Sequence, residues 1–137
     1  VLESHFVEYP ADTMVTDAYD LLKYAMSEPE CGPQGREELE FSRCKLALRN
    51  LPAEIYSREW DAIMIDAPRG YLPEAPGRMH AIYTSAVLAF SSTRPTQVFV
   101  HDVNRTVEDM YSNTFLCRHN LVAAQGNLWH FTIPPKP

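Results

Sequence analysis

Asp66, His101 and Asp102 are the residues whose types and placing could do chemistry together. Asp66 ends the short apolar run Ala62-Ile63-Met64-Ile65, and His101-Asp102 ends a second run, Gln97 to Val100. Two carboxylates and an imidazole can hold a divalent cation through oxygen and nitrogen ligands. A cation there could chelate vicinal hydroxyls of a sugar, lower the pKa of the attacking one and fix it in line with an alkyl donor. His101 would then be either a ligand or the base that takes the hydroxyl proton. The plainer use of each residue is structural, since an Asp after a strand often caps the next turn and a single His is often a satisfied core residue.

Three arginines, Arg69, Arg78 and Arg105, lie just beyond the same two runs. A guanidinium fork binds a carboxylate with two parallel bonds, so an acidic sugar would suit all three. Glu74 shares their loop and is counted with them as a substrate contact. The alternative is a surface ion pair between Glu74 and one of the arginines. Gly70 and Gly77 bracket a segment that could close over a ligand. Asn104-Arg105-Thr106 is a glycosylation sequon, expected to be unoccupied because a glycan would obstruct the site.

These residues need elements to hold them. The run 62–65 is too short for a helix and apolar on both faces, as in a central strand of a parallel sheet. In open α/β sheets, ligands sit outside the carboxyl ends of such strands. From Met79 the apolar positions 79, 82, 83, 86, 87 and 90 mark one face of a helix. Upstream, residues 4–9 alternate like a strand, and Thr16 can cap a helix with an inner face of Ala18, Leu21, Leu22 and Ala25. Residues 27–41 read as a loop, 45–48 as a brief strand and 51–56 as a helical turn entered through Pro52. Thr106 and Asp109 resemble a capping box for a helix whose inner face is Val107, Met110 and Tyr111. Residues 121–124 and 128–133 read as a hairpin about Gln125-Gly126-Asn127.

That order predicts an α/β fold with a mostly parallel sheet ending in an antiparallel hairpin. It fits the C-terminal part of a Rossmann-like methyltransferase domain, without the glycine-rich first turn and its following acidic residue. With 137 residues the chain is read as a single domain, apparently N-terminally truncated, since it opens at Val1 inside apolar sequence. The formal charge of −6 argues against a nucleic-acid partner. No apolar run approaches the roughly 18 residues that span a bilayer. The spacing of Cys31, Cys44 and Cys117 matches no zinc pattern. Cys31 and Cys44 read equally as a bridge, which would add roughly 3 kcal/mol, or as two thiols. Cys117 is expected to be a buried residue on the inner face of its helix.

The blocks DAPRGYLPEAPGRMHAIYTSAVLA, VFVHDVNRTVED, FLC and NLWHFTIPP resemble the plant glucuronoxylan 4-O-methyltransferase family, which shares a polysaccharide-biosynthesis domain with the irregular-xylem proteins. The resemblance runs from about His5 to Pro135. It implies an enzyme that moves a methyl group from S-adenosylmethionine to the 4-hydroxyl of glucuronic acid on xylan, with a divalent metal. It also implies a type II membrane protein of the Golgi lumen, anchored by a segment that this chain does not contain, and the lumen favours a Cys31–Cys44 disulfide. Asp66 corresponds to the acidic residue of the family's D-x-P-(K/R)-G-Y block, and His101 and Asp102 to its HDV block. Family members also carry an upstream glycine turn for the cofactor, so the 137 residues alone are expected to be inactive. The alternatives are a non-catalytic wall-assembly protein that clamps acidic xylan with the three arginines, or the same chemistry on arabinogalactan.

Overall fold

The computed structural model describes residues 2–10, 13–33 and 35–137. A 3-10 turn at Val15–Asp17 leads into helix α1 (Ala18–Ser27), which buries Ala18, Leu21, Leu22 and Ala25 as their spacing predicts. Its start is organised by Asp17 rather than Thr16: the Asp17 carboxylate accepts the Met14 N–H at 2.8 Å. The polar stretch 27–41 contains a 3-10 turn (Pro29–Cys31) and the short helix α2 (Arg36–Leu39). Cys31 and Cys44 form a disulfide that pins this stretch to the core.

Neither of the first two expected strands forms. Residues 4–9 have the alternation of a strand, but no strand among the described residues lies beside them, and Phe6 is exposed. Leu46, Ala47 and Leu48 are buried, yet Ala47 N–H turns back to Cys44 C=O and Leu48 bonds side chains. Leu48 N–H donates to Thr84 Oγ1, and Leu48 C=O accepts the Tyr56 hydroxyl. A segment served in this way has no need of a ladder.

After α3 (Ala53–Ser57) come β1 (Ala62–Ile65), α4 (Met79–Phe90), β2 (Thr96–His101) and α5 (Thr106–Ser112). A π-helical turn at Asn113–Cys117 and a 3-10 turn then lead to the hairpin β3 (Leu121–Gln125) and β4 (Leu128–Ile133). The sheet order is β1-β2-β4-β3. β1 and β2 are parallel across the α4 crossover, and the two other pairings are antiparallel. The sheet is therefore mixed rather than mostly parallel, because β1-α4-β2 is the one crossover unit among the described residues.

β1 is an edge strand, which corrects the expectation of a central one. Ile65 is buried, but Ala62 is exposed and Met64 is 58% exposed. The face carrying Val98, Val100, Phe131 and Ile133 is fully buried beneath α4 and α5. Register puts Met64, Phe99 and His130 on the opposite, more open face, where Phe99 stacks on His130 at 4.3 Å. Helix α4 is buried nearly all round, since sheet, α2 and α5 contact it from different sides. Its apolar stripe thus understates its burial.

Helix α5 starts without the capping box: no side chain caps it, and Thr106 is exposed. Tyr111 is buried as expected and donates its hydroxyl to Ala18 C=O, tying α5 to α1. Cys117 is half-buried and ends the π-helical turn at φ 71°, rather than lining a helix's inner face. No helix among the described residues is long and apolar enough to cross a membrane.

Candidate functional site

The parallel register pairs Ile65 with Val100, so β1 and β2 end side by side. Asp66 and His101 are the next residues to emerge, and the alternation of a strand turns both side chains to the same face. Asp102 then takes a left-handed conformation, φ 63°, which a short polar residue tolerates better than most. This bend keeps its carboxylate at the strand ends. His101 Nδ1 lies 3.0 Å from Asp66 Oδ1 and 3.2 Å from Asp102 Oδ1.

Neither contact has hydrogen-bond geometry, and Nδ1 is buried without another hydrogen-bond partner. The three ligand atoms all lie within 4.8 Å of one another, a spread that a single ion can bridge. The donor set of two oxygens and one nitrogen could hold a small divalent cation.

Behind this triangle sits Arg78, whose side chain is only 7% exposed. Its Nε donates to Pro68 C=O, Nη2 to Asp66 C=O and Nη1 to His101 C=O, each at 3.1 Å. Nη1 also donates to Asp102 Oδ2. The expectation that Arg78 meets substrate is thus corrected, because its donors are spent on the ends of β1 and β2. Arg105 is half-spent in the same way, donating from Nη2 to Asp102 Oδ2 at 2.8 Å. Arg69 differs: it is exposed and pairs with no carboxylate among the described residues. Glu74 is exposed beside the N-terminal segment and forms no ion pair with any of the three arginines, so the expected partnership does not form.

Two residues at the site carry no signal in the sequence reading. Asn127, in the hairpin turn, donates from Nδ2 to Asp102 Oδ1 at 3.2 Å, so a distant turn closes the site from one side. Glu108 is 1% exposed, with Oε2 3.0 Å from Arg105 Nη2 and 3.9 Å from Arg78 Nη1. A Cβ on Gly70 would come within 2.8 Å of that same oxygen, so the absent side chain lets the turn after β1 close onto it. Glu108 lies two residues from the supposed capping pattern and reads in sequence as a solvated helix charge. The segment between Gly70 and Gly77 is strapped rather than free: Gly77 N–H donates to Arg69 C=O, Val15 N–H to Ala75 C=O and Thr16 N–H to Pro73 C=O.

Burial alone would raise the Asp102 pKa, but the Arg78 hydrogen bond and the charges of Arg105, Arg78 and His101 outweigh it. The net effect holds Asp102 below the usual aspartate range. At Glu108 burial prevails over its own backbone N–H and the two arginines, and pushes the carboxyl up.

Comparison with known proteins adds to this geometry. A profile of the IRX15/IRX15L/GXM family matches residues 1–131. The chain belongs to the IRX15/IRX15L/GXM family. Among curated proteins of Arabidopsis thaliana, it is 48% identical over 136 residues to Arabinogalactan O-methyltransferase 1, covering 98% of the chain and 46% of that protein. It is 50% identical over 134 residues to Glucuronoxylan 4-O-methyltransferase 3, covering 97% of the chain and 43% of that protein. It is 48% identical over 107 residues to Protein IRREGULAR XYLEM 15, covering 76% of the chain and 33% of that protein. The chain therefore spans less than half the length of these IRX15/IRX15L/GXM relatives. No solved structure matches it.

Proposed function

We propose that this chain is the acceptor-side part of an S-adenosylmethionine-dependent O-methyltransferase acting on the 4-hydroxyl of glucuronic acid side chains of xylan. The observation that carries the reading is the convergence of Asp66, His101 and Asp102 at the paired ends of β1 and β2. The names of the relatives supply the reaction class and the polymer. In the reaction the hydroxyl oxygen forms a bond to the methyl carbon, the carbon–sulfur bond breaks towards sulfur, and the hydroxyl proton is lost. His101 Nδ1 faces the two carboxylates, so Nε2 takes this proton only while Nδ1 carries its own hydrogen toward them. With Nδ1 given to a cation, Nε2 is already protonated and the hydroxyl proton leaves to solvent. Asp66 Oδ1, Asp102 Oδ1 and His101 Nδ1 would hold a divalent cation, which supplies acidification and orientation of the hydroxyl when bound. Arg69 is the guanidinium with donors to give to the substrate's carboxylate. Arg105, with part of its fork committed to Asp102, borders the same pocket.

No glycine-rich strand–helix turn occurs among these residues, so no contact to the methyl donor is assigned to them, and the 137 residues alone are inactive in this reading. The finer fold assignment, the later half of a Rossmann-like domain, draws support from the free edge of β1 and the open face at Met64. The Cys31–Cys44 disulfide supports an oxidising compartment and thus the Golgi lumen, with membrane attachment through an anchor outside these residues. The non-catalytic clamp loses ground because Arg78 is spent internally and Arg105 in part.

The test is methyl transfer to glucuronoxylan and, in parallel, to arabinogalactan by the full-length protein. Asp66→Ala and Asp102→Ala should each lower kcat/KM by about 100-fold or more. Unchanged turnover in both would remove the mechanism, whereas transfer to arabinogalactan alone would change the polymer and leave the site intact.

A further inference from the structure

Arg78 is a buried cation whose polar contacts are all internal. Its three main-chain acceptors come from separate places: the end of β1, the turn after it and the end of β2. A carbonyl at the end of a strand has lost its ladder partner, and burying it unpaired would cost about 1–3 kcal/mol. One planar fork here satisfies three such groups and one carboxylate oxygen. A lysine could not, because an ammonium is a point charge without the fork's fixed spread of donors.

Glu108 Oε2 draws Arg78 Nη1 and Arg105 Nη2, while Arg78 Nη2 lies 3.7 Å from Asp66 Oδ1. Both arginines also bond Asp102 Oδ2, which leaves Oδ1 to face His101 and Asn127. The direction of the Asp102 carboxylate therefore depends on Arg78, whose side chain is only 7% exposed, together with Arg105.

We propose that Arg78, backed by Glu108, is a positioning residue that sets the spacing of Asp66 from the His101–Asp102 pair. Its relevance to catalysis rests on the function proposed above, but the geometric part stands apart from it. The amides of Gly77, Val103 and Arg105 report on the clamp, because each hydrogen-bonds in a turn adjoining Arg78 or its acceptors.

The experiment compares hydrogen exchange and steady-state kinetics of the full-length protein with those of Arg78→Lys and Glu108→Gln. In both variants the Gly77, Val103 and Arg105 amides should exchange about tenfold faster or more, while amides of the paired core strand β2 keep their rates. Unchanged rates at the three amides would overturn the proposal, as would a uniform rise across the chain, which marks a general loss of stability. If Arg78→Lys fails to fold, Glu108→Gln decides by the same criterion. In methyl transfer, kcat should fall by about tenfold or more with KM for the polysaccharide within about twofold. A raised KM with kcat retained would mean that Arg78 touches substrate, and would overturn the assignment. If the unaltered protein transfers no methyl group, the proposed function fails while the exchange result still decides the clamp.

Discussion

Asp102 divides its work between its two oxygens. Oδ2 takes the Arg78 and Arg105 guanidinium groups, and Oδ1 meets Asn127 and faces the His101 ring. The folded state binds the Asp102 proton less readily than the unfolded chain does, because its pKa is held down. Its contribution to stability is therefore full above the ordinary aspartate range, about pH 4, and is lost as pH falls through the lowered value. Acid unfolding followed by circular dichroism should show a shallower loss of stability below about pH 4 in Asp102→Asn than in the unaltered chain. An identical slope would mean that the two arginines do not favour the ionised form. Glu108 acts with the opposite sign. Its raised pKa makes the charged form a burden when folded, so its share of stability declines as pH climbs from the ordinary glutamate range through the raised value.

The elements differ in how far they depend on partners. Helix α1 follows its own apolar spacing and packs as that spacing requires. The polar stretch 27–41, by contrast, carries only short helical turns and is held at its boundary by the Cys31–Cys44 bond, with a sequence separation of 13. Closing a loop of that size in the unfolded chain is worth about 3 kcal/mol. Reduction with a mild thiol reagent should therefore lower the melting temperature by roughly 10 °C, measured by calorimetry with and without reductant. A shift under about 2 °C would mean that the surrounding packing holds the stretch without the bond. The hairpin β3–β4 has a further use beyond closing the sheet, since its turn delivers Asn127 to Asp102.

Across the molecule, one side of the sheet is finished and the other is not. Val98, Val100, Phe131 and Ile133 lie under helices at 0% exposure, while Met64 on the opposite face of β1 remains 58% exposed. An apolar groove of about 550 Å³ runs along β1 between Trp60, Leu51 and Leu88 and reaches Asp66. An uncovered edge strand beside such a groove favours association between chains. Met64→Lys in the 137-residue chain should change stability by no more than about 0.5 kcal/mol while reducing self-association in sedimentation experiments. A loss above about 2 kcal/mol would show that this side chain is buried in solution.

Much of the local order is legible because its causes lie close together along the chain. Residues 18–25 and 79–90 repeat at the helical period, 62–65 and 97–100 are apolar runs ending on acids or imidazole, and Gly126 supplies the positive φ of the hairpin turn. The resemblance carried by the PRGY, PEAPGRM and VFVHDV blocks identified the family from residues alone. What sequence could not reveal are matters of partnership across long separations. Residues 4–9 have the alternation of a strand, but a strand exists only beside another, and Leu48 spends its backbone bonds on Thr84 and Tyr56. An apolar run does not say whether it lies at a sheet's centre or its edge, as β1 demonstrates. Arg69, Arg78 and Arg105 look alike on paper. Folding buries one among carbonyls, shares another between two carboxylates and leaves the third in water, because a guanidinium's role depends on which acceptors the chain brings within about 3 Å.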